Sequence, residues 1–467
     1  MSQEEDIEKV RRDKVEDMIK RGIDPYPSKV GRTHTLQEVL SGWAALLKKK
    51  SQVTVLGRVF AIRGQGGVSF FDLKDESGAI QVVFRKDNAP DYQKNRDDID
   101  TGDFTEVTGV PYITKRGEKS IDAKSVRVVA KSLRPLPSEW YGLKDTEERF
   151  RKRYLDLLLN EGVKKNFVRR SEVIREIREF LAKEGFMEAE TPILQPLPGG
   201  AKARPFVTQY NALDSENFYL RIAPELYLKR LLVGGFEKIY ELGKVFRNEG
   251  LDRDHNPEFT MLELYSAYWD YKDLIKFVKK MFSRWEWFPN PKKWDEITFA
   301  ELFKEHAGKN WRDVPPQELD NIYKHEIRTA GKIKTTTLVV DYPESMMSLA
   351  KIKKGGNGAY KDKKLLTESF QLIAGADIAP GGPEIVKGFS ELNDSVFQRE
   401  QMARQEQEFR AGDKESSRLD EDFLESLKYG MPPAAGMGIG IDRLVTLATK
   451  SHAVKEIILF PTMKTKE

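Results

Sequence analysis

Cysteine is missing from all 467 residues, which excludes disulfides, thiolate zinc sites and a cysteine nucleophile. Long apolar runs are missing too: no stretch approaches the ~20 uncharged apolar residues that a membrane-crossing helix needs. The opening MSQEEDIEKVRRDKVEDMIKRG is charged and helical in pattern, and no apolar run follows it, so a secretory signal is not expected. Nor is either sign of charge in excess. The 78 basic residues nearly cancel the 74 acidic ones, leaving a net charge of +4, so local patches must carry any contact with nucleic acid. Histidine is sparse, and His34, His306, His325 and His452 show no ligand-like spacing. No internal repeat or low-complexity segment is apparent. What remains is a composition with a well-hydrated surface, 33% charged and 39% hydrophobic, and the expected location is cytoplasmic, with no membrane association. A chain of this length is too long for one small core, so two or three domains are expected.

Residues 4 to 22 read as an amphipathic helix closed by Gly22, with Pro25 and Pro27 beyond it. From Val53 to about Val129 the texture changes to short alternating runs rich in Val, Ile and Phe, such as VTVLGRVFAIR, GGVSFFDLKDE and GAIQVVFRK, separated by glycine-bearing turns. Strands at this spacing predict a small all-β domain, a barrel or a sandwich. The segment KSLRPLPSEWYGL, with Pro135 and Pro137, reads as a stiff connector. Beyond it, strand-like YELGKVFRNEG, EFTMLELYSAY, TTLVVDYP and EIVKGFSELND mix with helical stretches without a βαβ rhythm, which favours an α+β fold over a doubly wound one. Residues 283–334 have weak periodicity and several prolines, and read as an insertion.

Three segments carry chemistry. In the strands flanking residues 250–258, alternation predicts Arg247 and Glu249 on one face, and Phe259, Met261, Glu263 and Tyr265 on one face of the next strand. A charged and aromatic row inside otherwise apolar strands is either an internal Arg–Glu ion-pair network, the commoner case, or a binding site. In GMGIGIDRLVTLATK, residues 436–450, glycines at 436, 438 and 440 permit close approach of backbone or ligand, and a helix is predicted to begin near Asp442. The string lacks the GK[ST] of a P-loop and the GxGxxG of a dinucleotide fold. Arg443 at that helix start either meets phosphate oxygens or makes a surface ion pair. In EIVKGFSELND, Lys387, Phe389 and Glu391 share a strand face. Glu384 lies an odd number of residues away, so either a bulge intervenes, with Gly388 the obvious candidate, or Glu384 is outside the site.

Together these segments resemble the three signature motifs of class II aminoacyl-tRNA synthetases. RRSEVIREIREFLAKEGFMEAETPIL resembles the first, FRNEG with HNPEFTMLELY the second and GIGIDR the third. GIDPYP, GGAKARPF, YLRIAPELYLKRL and FSELND are similar to the lysyl-tRNA synthetases in particular, in order and over nearly the whole chain. The resemblance implies an α+β protein: an N-terminal OB-fold β-barrel, then a catalytic domain with a central antiparallel sheet flanked by helices. The expected organisation is a helical extension at 1–50, an anticodon-binding OB-fold at 51–135, a linker or hinge at 136–165 and the catalytic domain at 166–467, including the insertion.

The implied reaction is attack of the L-lysine carboxylate on the α-phosphate of ATP, then transfer of the lysyl group from the adenylate to the 3′ end of tRNA-Lys. Such chemistry needs positioning and charge neutralisation and no covalent protein intermediate. By matching position, Arg247 and Arg443 would hold phosphates, Phe259 would stack on adenine, and Glu249, His255 and Asn256 would shape the nucleotide loop. Glu225 and Glu263 would meet the α-ammonium and line the pocket, Glu391 with Tyr265 would clasp the ε-ammonium, and Lys387 would face the substrate carboxylate. Glu384 would hold Mg²⁺, with Gln371 at a second metal position. In the OB-fold, Phe70 would stack on an anticodon base while Arg63, Gln81 and Glu118 read base edges. The first-motif helix, about Arg170 to Gly185, would form a homodimer contact.

The chain departs from the lysyl pattern at several positions. Lys387 stands where most relatives carry asparagine, and Gln371 where a metal-binding glutamate is usual, with Asp377 nearby in ADIAPGGP. YPESMMSLAK lacks a usual proline, and Asp254 replaces a basic residue, with Arg253 adjacent. Two other functions share features of this sequence: a paralogue that lysylates a protein, whose relatives lack the β-domain, and an inactive synthetase-like RNA-binding or interaction module.

Overall fold

In the first of two compact units, Met1–Gly142, three helices precede the barrel: α1 (Gln3–Lys20), α2 (Leu36–Ser41) and α3 (Trp43–Lys49). The alternation seen from Val53 onward becomes β1 (Val53–Gln65), β2 (Val68–Lys74), β3 (Ala79–Arg85), β4 (Phe104–Ile113) and β5 (Lys119–Ala130), with helix α4 (Tyr92–Asp98) between β3 and β4. The strands close into a barrel in the order β1-β2-β3-β5-β4. Inward positions of every strand, among them Val55, Phe71, Leu73, Val82, Phe84, Val107 and Ile121, share one core with Met18, Leu36, Val39 and Trp43 from the helices. The predicted opening helix ends at Lys20, and Gly22 takes φ +77° in the turn that follows. Arg11 ties α1 to the barrel by donating to the carbonyls of Ser132 and Arg134 at 2.7 and 3.1 Å. Beneath it the buried Lys131 ammonium donates to Asp98 O, Asp100 Oδ2 and Asp103 Oδ2, each at 2.6 Å.

The structure is a computed structural model, which describes residues 3–137, 144–160, 162–213, 216–250, 252–253, 255–353, 365–413, 415–416 and 418–465, excepting the side chains of residues 3, 4, 65 and 317. Asp254 lies outside the described residues.

The second unit, Leu143–Glu467, opens with α5 (Thr146–Arg151), α6 (Arg153–Leu159) and the long α7 (Val163–Lys183). There follow β6 (Met187–Glu188), β7 (Leu194–Gln195), β8 (Val207–Tyr210), β9 (Glu216–Leu220), α8 (Glu225–Val233), β10 (Lys238–Phe246), β11 (Glu258–Ala267) and α9 (Tyr271–Phe282). The remainder is β12 (Asp295–Thr298), α10 (Phe299–Ala307), α11 (Pro316–Asn321), β13 (Thr337–Val340), β14 (Ser369–Ile373), β15 (Glu384–Ser390), α12 (Ser395–Arg410), α13 (Glu421–Lys428), β16 (Ala434–Gly440) and α14 (Ile441–Thr449). Eight strands form one sheet in the order β12-β13-β14-β15-β16-β11-β10-β6, and β7-β9-β8 form a smaller one. All neighbours in the large sheet run antiparallel except β12 with β13 and β10 with β6.

One face of the large sheet carries the main core. Helix α7 contributes Val173, Ile177, Phe180 and Leu181, an i, i+4, i+7, i+8 stripe, which packs with α9, α14 and the strand residues Leu262, Leu264, Leu372, Val386, Met437 and Ile439. On the other face α8 and α13 cover one end through Leu228, Leu232, Phe423 and Tyr265. The stretch read as an insertion adds β12 to the sheet edge and packs Phe299, Phe303 and Tyr323 on Val339 and Ile373 at the other end. Among the described residues, neither cluster covers the middle of the sheet. Among the described residues no helix is long and apolar enough to cross a membrane.

Candidate active site

Residues paired across adjacent strands share a sheet face. On the sparsely covered face the pairing runs Glu241–Glu263–Gly438–Lys387–Gln371–Val339. Flanking rows bring Tyr265 and Phe389 opposite Gly436, and Met261 opposite Gly440. For three successive positions on this face β16 therefore has no side chain. A Cβ at Gly436 would collide with the Tyr265 ring and the Glu391 carboxylate, whereas at Gly438 and Gly440 the nearest heavy atoms are 3.8 and 3.9 Å away. The glycines thus seat Tyr265 and Glu391 at one end and leave a bare floor along the rest.

At the Gly436 end three carboxylates converge. Glu225 opens α8, Glu263 lies on β11 and Glu391 follows β15; their exposures are 6%, 6% and 1%. Lys229, one turn beyond Glu225, is fully buried; its Nζ lies 2.6 Å from Glu225 Oε1 and 2.6 Å from Glu391 Oε2. Glu391 Oε1 is buried without a hydrogen-bond partner among the described residues. Burial pushes the Glu263 carboxyl up to about 8, and the charge of Glu225 adds to the rise, against a hydrogen bond from Tyr265 and the pull of Arg247 and Lys229. Burial likewise raises Glu391, with Lys229 opposing it. For Lys229 burial acts to lower the pKa, but Glu225 and Glu391 outweigh it and hold the ammonium charged. Tyr265, read as clasping the ε-ammonium together with Glu391, donates its hydroxyl to Glu263 Oε2 at 3.1 Å, while its ring and the Glu391 carboxylate flank Gly436.

Cations occupy the far end. The predicted strand face for Arg247 and Glu249 is not formed, because β10 ends at Phe246. Arg247 continues the ladder by one bond, its N–H donating to Pro257 O at 2.9 Å, and the exposed Glu249 lies in the loop beyond. Burial lowers the pKa of Arg247, whose charged neighbours are Glu249, Glu263, Arg443 and Glu384. Its guanidinium carbon stands 5.2 Å from the centroid of the Phe259 ring. Arg443 sits in the first turn of α14, where predicted, and reaches Glu384 O at 3.3 Å and His255 Nε2 at 3.4 Å. Asp252, which the sequence reading passed over, orients His255 by accepting from its backbone N–H at 2.8 Å and facing Nδ1 at 2.8 Å. Asn256 is buried, with Nδ2 donating to Glu258 O at 2.6 Å. The start of α14 is fixed by Asp442, which accepts from Thr260 N at 3.0 Å and lies 2.5 Å from Arg170 of α7.

A bulge does bring Glu384 into the row, but at Ile385 and not at Gly388. Leu372 pairs with Val386 and Ile373 with Glu384, so Ile385 is the extra residue. Gly388 faces the helical core, where a Cβ would stand 2.7 Å from the Phe370 ring and 2.9 Å from Met437. Gln371, read as a second metal position, has its amide oxygen engaged: it accepts from Tyr342 OH at 2.9 Å and Tyr323 OH at 3.2 Å. Among the described residues no three His, Asp or Glu side chains group as a metal cage. Glu384 offers one carboxylate, with Arg328 3.7 Å away. The side chain of half-buried Lys387 makes no hydrogen bond or ion pair among the described residues.

In the first unit, Phe71 fills the barrel core while Phe70 is half-buried on the outer surface. Register places Arg63 opposite Phe70, and Gln81 opposite both Asp72 and Ser120, on that same outer face. Arg63 donates to Asp72 Oδ1 at 2.6 Å, a partner not anticipated, and Gln81 Oε1 accepts from Ser120 at 3.0 Å. Exposed Glu118 stands apart in the β4–β5 turn, where Thr114 N donates to its carbonyl at 3.0 Å.

Comparison with known proteins matches residues 53–129 to the OB-fold nucleic acid binding domain and residues 145–464 to tRNA synthetases class II (D, K and N). The lysine–tRNA ligase of Carboxydothermus hydrogenoformans is 41% identical, covering 99% of both chains. Those of Pelotomaculum thermopropionicum and Clostridium botulinum are 40% and 41% identical, each covering 99% of this chain and 96% of the relative. With relatives of one kind aligned end to end and the family matched across the unit that bears these residues, the chain belongs to the class II tRNA synthetases, among the lysine–tRNA ligases.

Proposed function

We propose that the chain activates L-lysine with ATP and transfers the lysyl group to the 3′ end of tRNA-Lys, and that the carboxylate cluster selects the amino acid. The observation that carries this is the charge count: three buried carboxylates, Glu225, Glu263 and Glu391, surround one internal ammonium, Lys229. Two negative charges are left over, which matches the two ammonium groups of lysine. A neutral side chain would leave a buried carboxylate unpaired, which is the costly case.

Glu225 takes the α-ammonium, Glu391 the ε-ammonium with the Tyr265 ring beside it, and Glu263 balances the pocket. The substrate carboxylate then lies over the glycine floor facing Lys387. Phe259 stacks on the adenine, Arg247 and Arg443 hold the phosphates, and Glu249, His255 and Asn256 shape the loop around the nucleotide. One lysine carboxylate oxygen attacks the α-phosphorus, the bond to the bridging oxygen breaks, and pyrophosphate leaves. In the second step a ribose hydroxyl of the tRNA attacks the carbonyl carbon and AMP departs. Both steps depend on alignment and on cations placed where negative charge builds up.

Mg²⁺ suits this site as a companion of the nucleotide, since that ion is commonly held by one or two carboxylates plus substrate phosphates. Glu384 supplies such a carboxylate, while Gln371 is reserved for its tyrosines. When bound, the ion neutralises phosphate charge. The outer face of the barrel carries the anticodon contacts, with Phe70 as stacking surface and Arg63, Gln81 and Glu118 at base edges. The enzyme acts as a cytoplasmic homodimer through α7, with the extension, barrel, hinge and catalytic regions divided near residues 50, 135 and 165. Charging assays with labelled lysine test the reading: tRNA-Lys should be aminoacylated and tRNA-Asn should not, and equal charging of both would refute the assignment of tRNA-Lys.

A further inference from the structure

Lys229 has no part in the steps above, yet few charges in the chain are so deeply placed. Its ammonium is fully buried between Glu225 Oε1 and Glu391 Oε2, 2.6 Å from each, and the Phe389 ring centroid lies 5.7 Å away. A buried ammonium is tolerated only when it is satisfied in this way. The two carboxylates come from unrelated places, one on the first turn of α8 and the other just after β15. Each is assigned above to one end of the amino acid. Pinning both to a single nitrogen fixes the span between the two ammonium sites through a side chain and not through loops.

We propose that Lys229 is a positioning residue for amino-acid selection: its ammonium cancels one of the three pocket carboxylates and holds Glu225 and Glu391 at a fixed separation, so that two uncancelled charges remain for the two ammonium groups of lysine. The inference rests on the lysine reading of this pocket. The ionisable groups facing Lys229 are Glu225 on its own helix and Glu391 after β15, with Glu263 and Tyr265 of β11 across the pocket and Arg247 beyond Glu263. Loss of the ammonium therefore leaves carboxyls that hold their protons to higher pH, and a pocket whose span is no longer fixed.

The test is pyrophosphate exchange by the full chain and by Lys229→Met and Lys229→Arg, with lysine and ornithine, from about pH 6 to about pH 9. In Lys229→Met the acid limb of kcat/KM for lysine should move up by about one unit or more, and the preference for lysine over ornithine should fall by at least about tenfold. Lys229→Arg keeps the charge and should hold the limb near its wild-type position. If the methionine variant does not fold, Lys229→Gln, which keeps N–H donors toward Glu225 and Glu391 without the charge, is measured in its place, and the same loss of preference is expected of it. A folded variant with a neutral side chain at position 229, an unmoved acid limb and undiminished preference would overturn the proposal. Absence of lysine-dependent exchange in the wild-type chain would instead overturn the ligase reading on which it rests.

Discussion

Lysine binding should release protons near neutral pH. In the empty pocket burial holds Glu263 up to about 8 and raises Glu391 as well. At pH 7 a carboxyl with that value is about nine-tenths protonated, since each pH unit is a factor of ten. The two incoming ammonium groups require carboxylates, so binding must expel what they hold: roughly one proton from Glu263 and a further fraction from Glu391, the two titrating as a coupled set. The sign follows from linkage. Because the empty form binds more protons than the occupied one, lysine affinity should rise with pH, by up to about tenfold per unit for each proton released. It should level off once the carboxylates are ionised, until the substrate's own ammonium groups start to deprotonate. Calorimetric titration with lysine, repeated at pH 7 in buffers of different ionisation enthalpy, counts the protons directly. An affinity flat between about pH 6 and 8 with no proton release would show that the carboxylates are already ionised in the empty pocket, and would refute the argument from burial.

Other consequences are more local. Gly436→Ala places a methyl into Tyr265 and Glu391; overpacking of this kind costs ~1–3 kcal/mol, so KM for lysine should rise roughly ten- to hundredfold while KM for ATP barely moves, and an equal rise in both would contradict the geometry. Phe71→Ala should destabilise the barrel by about 3–5 kcal/mol in chemical denaturation, whereas Phe70→Ala should spare stability and weaken tRNA binding by about 1–3 kcal/mol. The reverse order would mean that the strand faces are misassigned. Glu384→Ala should raise the Mg²⁺ concentration needed for exchange. Gln371→Ala should leave that requirement unchanged and cost about 1–3 kcal/mol of stability, because the buried Tyr323–Tyr342 hydroxyl pair loses its shared acceptor. A changed Mg²⁺ requirement in Gln371→Ala would restore this residue as a metal ligand.

Much of this was legible where local pattern and tertiary environment agree. The alternation of β1 to β5 and the apolar stripe of α7 follow from burial of one face, and the three glycines of β16 stand on the face that the neighbouring strands make polar. Legibility failed where long-range contacts decide. Glu225 and Lys229 stand four apart on a helix, a spacing that ordinarily means a surface ion pair; only the arrival of Glu391 from a distant strand shows that the pair is buried. The bulge at Ile385 is set by register against β14, and no residue type marks it, whereas Gly388 is small because Phe370 and Met437 crowd the opposite face. Alternation also carried the Arg247 strand too far, since β10 loses its partner after Phe246 and the chain leaves the sheet within a residue. The amide oxygen of Gln371 depends in the same way on Tyr323 and Tyr342, 48 and 29 residues away.

The central claim is that a pocket with three carboxylates and one internal ammonium selects an amino acid bearing two positive charges. It is tested most directly by ATP–pyrophosphate exchange without tRNA, comparing lysine with norleucine, ornithine, aspartate and asparagine. Exchange should be strong with lysine, weaker with ornithine, whose ammonium sits on an arm one methylene shorter, and absent with norleucine, which lacks the second ammonium. Comparable exchange with lysine and norleucine would contradict the account, because the charge count would then play no part in the choice.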